Sequence, residues 1–113
     1  MKERNKELGF PEVIMAYWSA ANAGDIPEAG QCFSRDAVVQ DEGRTHEGTA
    51  AISSWIEETT QKYHPLVEAL RLEKREERYQ VTARVSGTFP GSPLELDYIF
   101  TLNNGKITHL EIQ

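Results

Sequence analysis

"YWSAANAGDIPEAGQCFSRDAVVQDE", residues 17–42, decides the fold, because the chain changes backbone habit twice within it. The stretch opens inside a helix predicted from about Pro11 to Ala23. Pro11 suits a first-turn position and Gly24 can supply a left-handed C-terminal cap. Phe10, Ile14, Tyr17, Trp18 and Ala21 fall at the three-or-four spacing of one buried stripe. "DIPEAGQCF" then restarts a helix, with Asp25 and Glu28 spaced as a capping box and Ile26, Ala29 and Phe33 as its apolar side. "DAVVQDE" reads as a short strand. Ala37, Val39 and Asp41 share one face, and Val38, Gln40 and Glu42 the other. If the first face points inward, the strand sends a carboxylate into the interior.

Working outward, "EGRTHEG" (42–48) reads as a turn, and "TAAISSWIEETTQKYH" (49–64) as a third helix with Ile52, Trp55, Ile56, Thr59 and Tyr63 on one stripe. Pro65 ends it. Period-two alternation takes over from there. "PLVEALRLE" is a strand and "KREER" its exposed turn. In "YQVTARVSGTF", Tyr79, Val81, Ala83, Val85 and Phe89 face one way, and in "LELDYIFTL" Leu94, Leu96, Tyr98, Phe100 and Leu102 share a face. "PGSP" is a turn, and "NNGK" a tight hairpin of the Asn-Gly kind. "ITHLEIQ" puts Leu110 and Ile112 on one side and His109 and Glu111 on the other. Helical signals thus dominate the first part and strand signals the last. That order predicts one α+β domain over residues 1–113, with helices on one face of a mostly antiparallel sheet.

Composition narrows the function classes. Twelve Lys and Arg against 18 Asp and Glu give a net charge of -6, which disfavours a nucleic-acid or anionic-membrane surface. No run approaches the roughly 18 apolar residues of a membrane span, and "MKERNKELGF" lacks the apolar core of a signal peptide. A cytoplasmic location is the expectation. Cys32 is the single cysteine, so neither an intramolecular disulfide nor a cysteine-cluster metal site can form. Beside Phe33 it reads as a small buried apolar group. His46, in the predicted turn, His64, at a helix end, and His109, opposite the core face, have no metal-ligand spacing, and no metal is expected.

In three segments the chain resembles the nuclear-transport-factor-2-like superfamily, in the branch of SnoaL-like polyketide cyclases and bacterial ketosteroid isomerases. They are residues 17–42 quoted above, "HEGTAAISSWI" (46–56) and "NNGKITHLEIQ" (103–113). The resemblance implies a cone-shaped, curved, mostly antiparallel sheet wrapped around three helices, a cystatin-like α+β barrel with an apolar pocket on its concave side. In ketosteroid isomerases a helix Tyr, a first-strand Asp and a late-strand Asp meet in that pocket, the first Asp acting as general base. Tyr17 matches the helix Tyr through "Y-x-x-A-x-N-A-G-D", and Asp41 matches the base without a gap. Counting back from the "G-K" turn assigns Asp97 to the third position, whereas alternation puts Tyr98 on the apolar face and Asp97 outside. A one-residue slip separates the two readings, and we follow the alternation. The residue after Asp41 is Glu42, where the isomerases carry proline, and the loop that follows is shorter; both argue against a steroid substrate.

The resemblance therefore implies Asp41, Tyr17 and Tyr98 as catalytic residues, with Trp18, Phe33, Trp55, Tyr63, Phe100 and Leu110 contacting a hydrophobic small molecule. It implies no cofactor. The chemistry is proton transfer α to a carbonyl, of isomerase or cyclase type: a desolvated carboxylate shuttles the proton and a phenol stabilises the enolate oxygen. A plainer reading stands beside each residue. Asp41 can end its strand in solvent or cap a backbone group, and the aromatics can be ordinary core. Likewise the domain can be a non-catalytic binding or dimerisation module, since this superfamily hosts both. Arg84, on the polar face, is poorly placed for an epoxide-hydrolase-like Asp-Arg-Asp arrangement. The outer sheet face (Thr82, Arg84, Ile99, Thr101 and His109 among others) is polar but sparsely charged, and sheets of the superfamily that the chain resembles often pair through that face, so a homodimer through it is the expectation.

Overall fold

The computed structural model of the chain describes residues 10–113. The reading of the amino terminus as free of a signal peptide falls largely on residues 1–9, outside the described residues. In chain order the elements are α1 (Glu12–Ala23), α2 (Ile26–Gly30), β1 (Phe33–Asp41), β2 (Arg44–Glu47), α3 (Thr49–Tyr63), β3 (Leu66–Arg75), β4 (Arg78–Ser86), β5 (Leu94–Asn103) and β6 (Lys106–Ile112).

Local chemistry explains the helix limits. Pro11 is the N-cap of α1 rather than its first-turn residue, with extended backbone (φ −61°, ψ 148°). At the other end Gly24 takes φ 75°, and its N–H reaches back to the carbonyls of Ala20 and Ala21. That left-handed cap is cheap for glycine alone. Asp25 caps α2 by accepting the Glu28 N–H at 3.2 Å. Phe33, expected on the apolar side of α2, instead opens β1. His64 closes α3 in the left-handed region, immediately before Pro65.

Six strands form one curved, open sheet in the order β2-β1-β6-β5-β4-β3, every neighbouring pair antiparallel except β1 and β6. The fold is mixed α+β, with β2 and β3 as free edges rather than a closed barrel. The stretch 42–48, expected as a turn, contains a strand. Glu42 and Gly43 (φ 55° and 73°) make a two-residue turn, and Arg44–Glu47 pair back onto β1 with Asp41 opposite Arg44 and Val39 opposite His46. Positive φ at both turn residues is the hairpin geometry that matches strand twist. Similarly, Lys74 and Arg75 belong to β3, leaving Glu76 and Glu77 as the tip. Asn104 and Gly105, both at positive φ, form the expected tight turn.

Register shifts interrupt three ladders: between β1 and β6 the pairing steps from Phe33–Ile107 to Val38–His109, and two single-residue bulges bend the sheet elsewhere. Between β3 and β4 the pairing steps from Ala69–Ala83 to Arg71–Thr82, leaving Leu70 extra. Between β5 and β6 it steps from Thr101–His109 to Leu102–Ile107, leaving Thr108 extra, and the Thr108 hydroxyl donates to the Thr101 carbonyl at 3.1 Å. Simple alternation sets Ile107 outside with His109; the bulge turns it inward, where both Ile107 and Leu110 are fully buried. The concave face (Ala37, Val39, Val81, Ala83, Phe100, Ile107 and Leu110) is filled from the open side by Ile14, Tyr17 and Trp18 of α1 and by Ile52, Trp55 and Ile56 of α3. Asn22 fixes α1 to the sheet: its side-chain amide donates to the Val67 carbonyl at 3.1 Å and accepts the Val67 N–H at 3.0 Å.

Candidate active site

Along the cone the packed core gives way to a hollow of about 350 Å³ between α1, α3 and the strands. That volume lies within the range of small-molecule sites. β1 delivers Asp41, α1 delivers Tyr17 and Trp18, α3 delivers Trp55 and Tyr63, and β5 delivers Tyr98; all six line the hollow. Most of the remaining wall is apolar, from Val67, Val85, Phe89, Leu94, Leu96 and Ile112.

Asp41 is half-buried on the inward face of β1, two residues beyond fully buried Val39. Its Oδ2 accepts the indole N–H of Trp55 at 3.0 Å. Burial raises its pKa above the ordinary 3.8, with a smaller push from Glu42, against which the Trp55 hydrogen bond and the neighbouring His46 pull down. Such a carboxyl holds its proton more readily than a solvated one, as proton exchange with carbon requires.

Tyr17 and Tyr98 are both nearly fully buried at their rings. Burial pushes the Tyr17 phenol well above its usual range, and the nearby Tyr98 and Asp41 add to the rise. Tyr98 is likewise raised by burial and then by Asp41. Both phenols therefore stay protonated, as hydrogen-bond donors, across the range in which Asp41 ionises. All three groups line the same hollow, and the Asp41 charge adds to the rise at both phenols. Asp97, by contrast, lies outside: its Oδ1 accepts the Thr82 hydroxyl at 3.1 Å on the convex face, opposite Thr82 in the β4–β5 register. Alternation, not the count from the turn, gives the register.

Three of the aromatic and aliphatic residues expected at the ligand lie elsewhere. Phe33, Phe100 and Leu110 belong to the packed core below the hollow. Phe33 stands edge-on to Tyr17 with ring centroids 5.4 Å apart. Phe100 is wedged against Trp18 at 5.5 Å and stacks on Tyr98 at 6.0 Å. They share the inward face with Tyr98 and Asp41 but sit one or more pleats deeper, in the packing beneath the residues that line the hollow. Trp18 is braced by Phe10, Tyr98 and Phe100, and its buried indole N–H has no acceptor among the described residues.

Other wall residues were not foreseen as site residues. Asn22 lines the hollow while clamping Val67; its place in "NAGD" was the only hint. Phe89 enters from the loop after β4, edge-on to Tyr63 at 5.7 Å. Gly87 allows that approach, since a Cβ there would lie 2.5 Å from the Tyr63 carbonyl and 2.9 Å from the Phe89 ring. The Thr88 N–H donates to the same carbonyl at 2.8 Å. Cys32 is buried beside α2, away from the hollow, its thiol 3.6 Å from the Glu28 carbonyl and its pKa raised by burial. Among the described residues no cluster of three His, Cys, Asp or Glu side chains could hold a metal ion. No described helix is long and apolar enough to cross a membrane.

Comparison with known proteins agrees with this fold. A candidate polyketide cyclase from Sinorhizobium meliloti is 37% identical, with a TM-score of 0.90 over 93% of this chain and 96% of that one. A protein of ketosteroid isomerase-like fold from Catenulispora acidiphila, solved with trimethylamine, is 20% identical, with a TM-score of 0.81 over 91% and 85%. The epoxide hydrolase/cyclase-like enzyme SalBIII, of pyran ring formation in salinomycin, is 18% identical, with a TM-score of 0.80 over 97% and 92%. At those two identities only the fold is shared. No curated protein matches the chain. The profile of the SnoaL-like domain matches residues 14–110, from Ile14 on α1 to Leu110 on β6, and the chain belongs to that family, within the NTF2-like superfamily.

Proposed function

We propose that the protein is a cofactor-independent enzyme that moves a proton α to a carbonyl of a hydrophobic small molecule, in an isomerisation or an aldol-type cyclisation. The observation that carries this reading is the placement of one desolvated carboxylate, Asp41, with two protonated phenols, Tyr17 and Tyr98, in a mostly apolar hollow. Asp41 takes the proton from the α-carbon, and the C–H electron pair moves into the carbonyl, leaving an enolate oxygen. Tyr17 or Tyr98 donates a hydrogen bond to that oxygen, where charge appears only as the reaction proceeds. The proton on Asp41 then returns to the γ-carbon of an enone. In a cyclisation, the enolate carbon instead attacks a second carbonyl and the proton goes to the new alkoxide. Electrons balance without an oxidant or reductant. The Trp55 hydrogen bond holds Oδ2 and leaves Oδ1 as the base.

Turnover of cyclic enones and of diketones that close by aldol addition tests the reading. Asp41→Asn is expected to lose about 10²–10⁴-fold in kcat, and Tyr17→Phe or Tyr98→Phe about 10–10³-fold. Undiminished turnover in Asp41→Asn removes the mechanism and leaves a ligand-binding domain. We propose further that the protein acts in the cytoplasm as a homodimer through the convex face, where Thr82, Ile99 and Thr101 are only partly exposed in the single chain. Light scattering at micromolar concentration that shows only monomer removes the dimer.

A further inference from the structure

A second hollow of about 340 Å³ adjoins the first, between the β1–β2 hairpin and the last two turns of α3. Asp41, Glu42, Trp55, Thr59 and Tyr63 line both. The two spaces therefore share one wall, and that wall carries the carboxylate. Over this seam the Tyr63 phenol donates to Glu42 Oε2 at 3.3 Å.

The two halves differ in chemistry. The second hollow adds Arg44, His46, Glu58, Gln61 and Lys62 to the shared residues, and none of these five is apolar. Two strand positions account for Arg44 and His46: they face Asp41 and Val39 across the hairpin, so they project to the same concave side. The His46 ring lies over the Trp55 indole, with centroids 5.9 Å apart and planes tilted by 32°. Trp55, Glu58, Thr59 and Lys62 form one stripe of α3 opposite them. Lys62 is fully exposed. Its Nζ lies over the Tyr63 ring, 5.1 Å from the centroid, and Tyr63, with Glu42 and Glu58, raises its pKa; cations and carboxylates alternate around the hollow.

We propose that the substrate is bipartite: an apolar ketone body in the first hollow, joined to a neutral, hydroxyl-bearing arm, such as a glycosyl group, in the second. This deepens the proton-transfer reading and rests on it for the ketone. Interleaved charges select the arm. A carboxylate or phosphate placed there meets Asp41, Glu42 and Glu58 as well as Arg44 and Lys62, and an ammonium meets both cations as well as the carboxylates. A hydroxyl both donates and accepts, so it satisfies Glu58 and Arg44 alike without bringing an uncompensated charge out of water. Joining the arm next to the carbonyl also fixes the ketone against Asp41, because the arm's binding energy orients the reacting carbon.

Calorimetric titration of the full chain with three related probes tests this: a hydroxyacetonaphthone, its β-glucoside and its carboxymethyl ether. The glucoside is expected to bind about tenfold tighter than the parent, the gain of one or two well-made hydrogen bonds. Glu58→Ala and Arg44→Ala, at exposed positions outside the apolar hollow, are expected to bring that advantage within about twofold while parent affinity stays constant. The proposal is overturned if the glucoside binds no tighter than the parent, if the carboxymethyl ether binds tightest, or if the advantage survives both substitutions. Asp41→Asn separates the two readings. A preserved glucoside preference with undiminished turnover sinks the catalytic mechanism alone, whereas lost turnover with no preference sinks the bipartite substrate alone.

Discussion

The indole N–H of Trp55 reaches Asp41 Oδ2 at 3.0 Å, from the middle of α3 to the last residue of β1. This bond opposes burial: burial raises the carboxyl pKa, and the donated hydrogen bond stabilises the charged form. Trp55 therefore offsets the effect of burial on Asp41 as well as walling the hollow. Trp55→Phe keeps an aromatic ring and removes the donor. On the proposed mechanism the rate rises with pH as Asp41 ionises, so the acidic limb of kcat/KM is expected to move to higher pH, with a loss of rate at neutral pH. A fall in rate with an unmoved limb would mean that Trp55 only fills space.

Asp41 carries a stability consequence of unusual sign for a carboxylate. Its folded pKa is raised above the unfolded value near 3.8, so the folded state binds the proton more tightly. The associated stability is fully present below the unfolded pKa and is lost as pH rises through the folded one. Asp41→Asn keeps an acceptor for Trp55 and removes the charge. We expect its Tm to exceed the parent's by on the order of 2–4 °C at pH 7, with the gap closing below about pH 4. Thermal melts across that range check it. A parent that is the more stable protein at pH 7 contradicts the desolvation of Asp41.

Gly87 sits where the turn after β4 meets the end of α3. A methyl group there would press on the Tyr63 carbonyl, a backbone atom that the Thr88 N–H also holds. Because neither neighbour can yield cheaply, Gly87→Ala is expected to cost about 1–3 kcal/mol. Ligand affinity should fall with it, since Tyr63 and Phe89 line the hollow. Urea unfolding and a binding titration measure the two effects. Unchanged stability would show that the junction is looser than its distances.

The fold was legible where patterning is strong. Alternation in β4 and β5 sorted Tyr98 from Asp97 although their positions differ by one, because one face of those strands is buried and a slip would invert every side chain. β2 was not legible: "RTHE" has four residues, all polar, and its strand character comes from pairing with β1 rather than from its own preferences. Ile107 turned inward through a bulge, which leaves no mark in the hydrophobic pattern. Periodicity also gives the face a residue points to, not its depth along the cone. Tyr98 and Phe100 are therefore equivalent in the sequence, though one lines the hollow and the other lies in the core. The polar annex required the β1–β2 hairpin, and that hairpin was read as a turn.

Asn22 bonds both backbone groups of Val67, doing from a helix end what a neighbouring strand would do for the edge strand β3. Val67 and Asn22 both line the hollow, so the clamp holds one side of the wall. Asn22→Ala leaves a partly buried N–H and C=O without partners, at an expected cost of about 1–3 kcal/mol. Asn22→Asp keeps the acceptor for the Val67 N–H but sets a carboxylate against its carbonyl, so it should not restore stability, whereas Asn22→Gln keeps both groups at the wrong reach. The amide at this spacing is thus expected to be required in both chemistry and length. Urea unfolding of the three variants measures it, and stability retained by Asn22→Asp would show that the donor to the Val67 carbonyl contributes nothing.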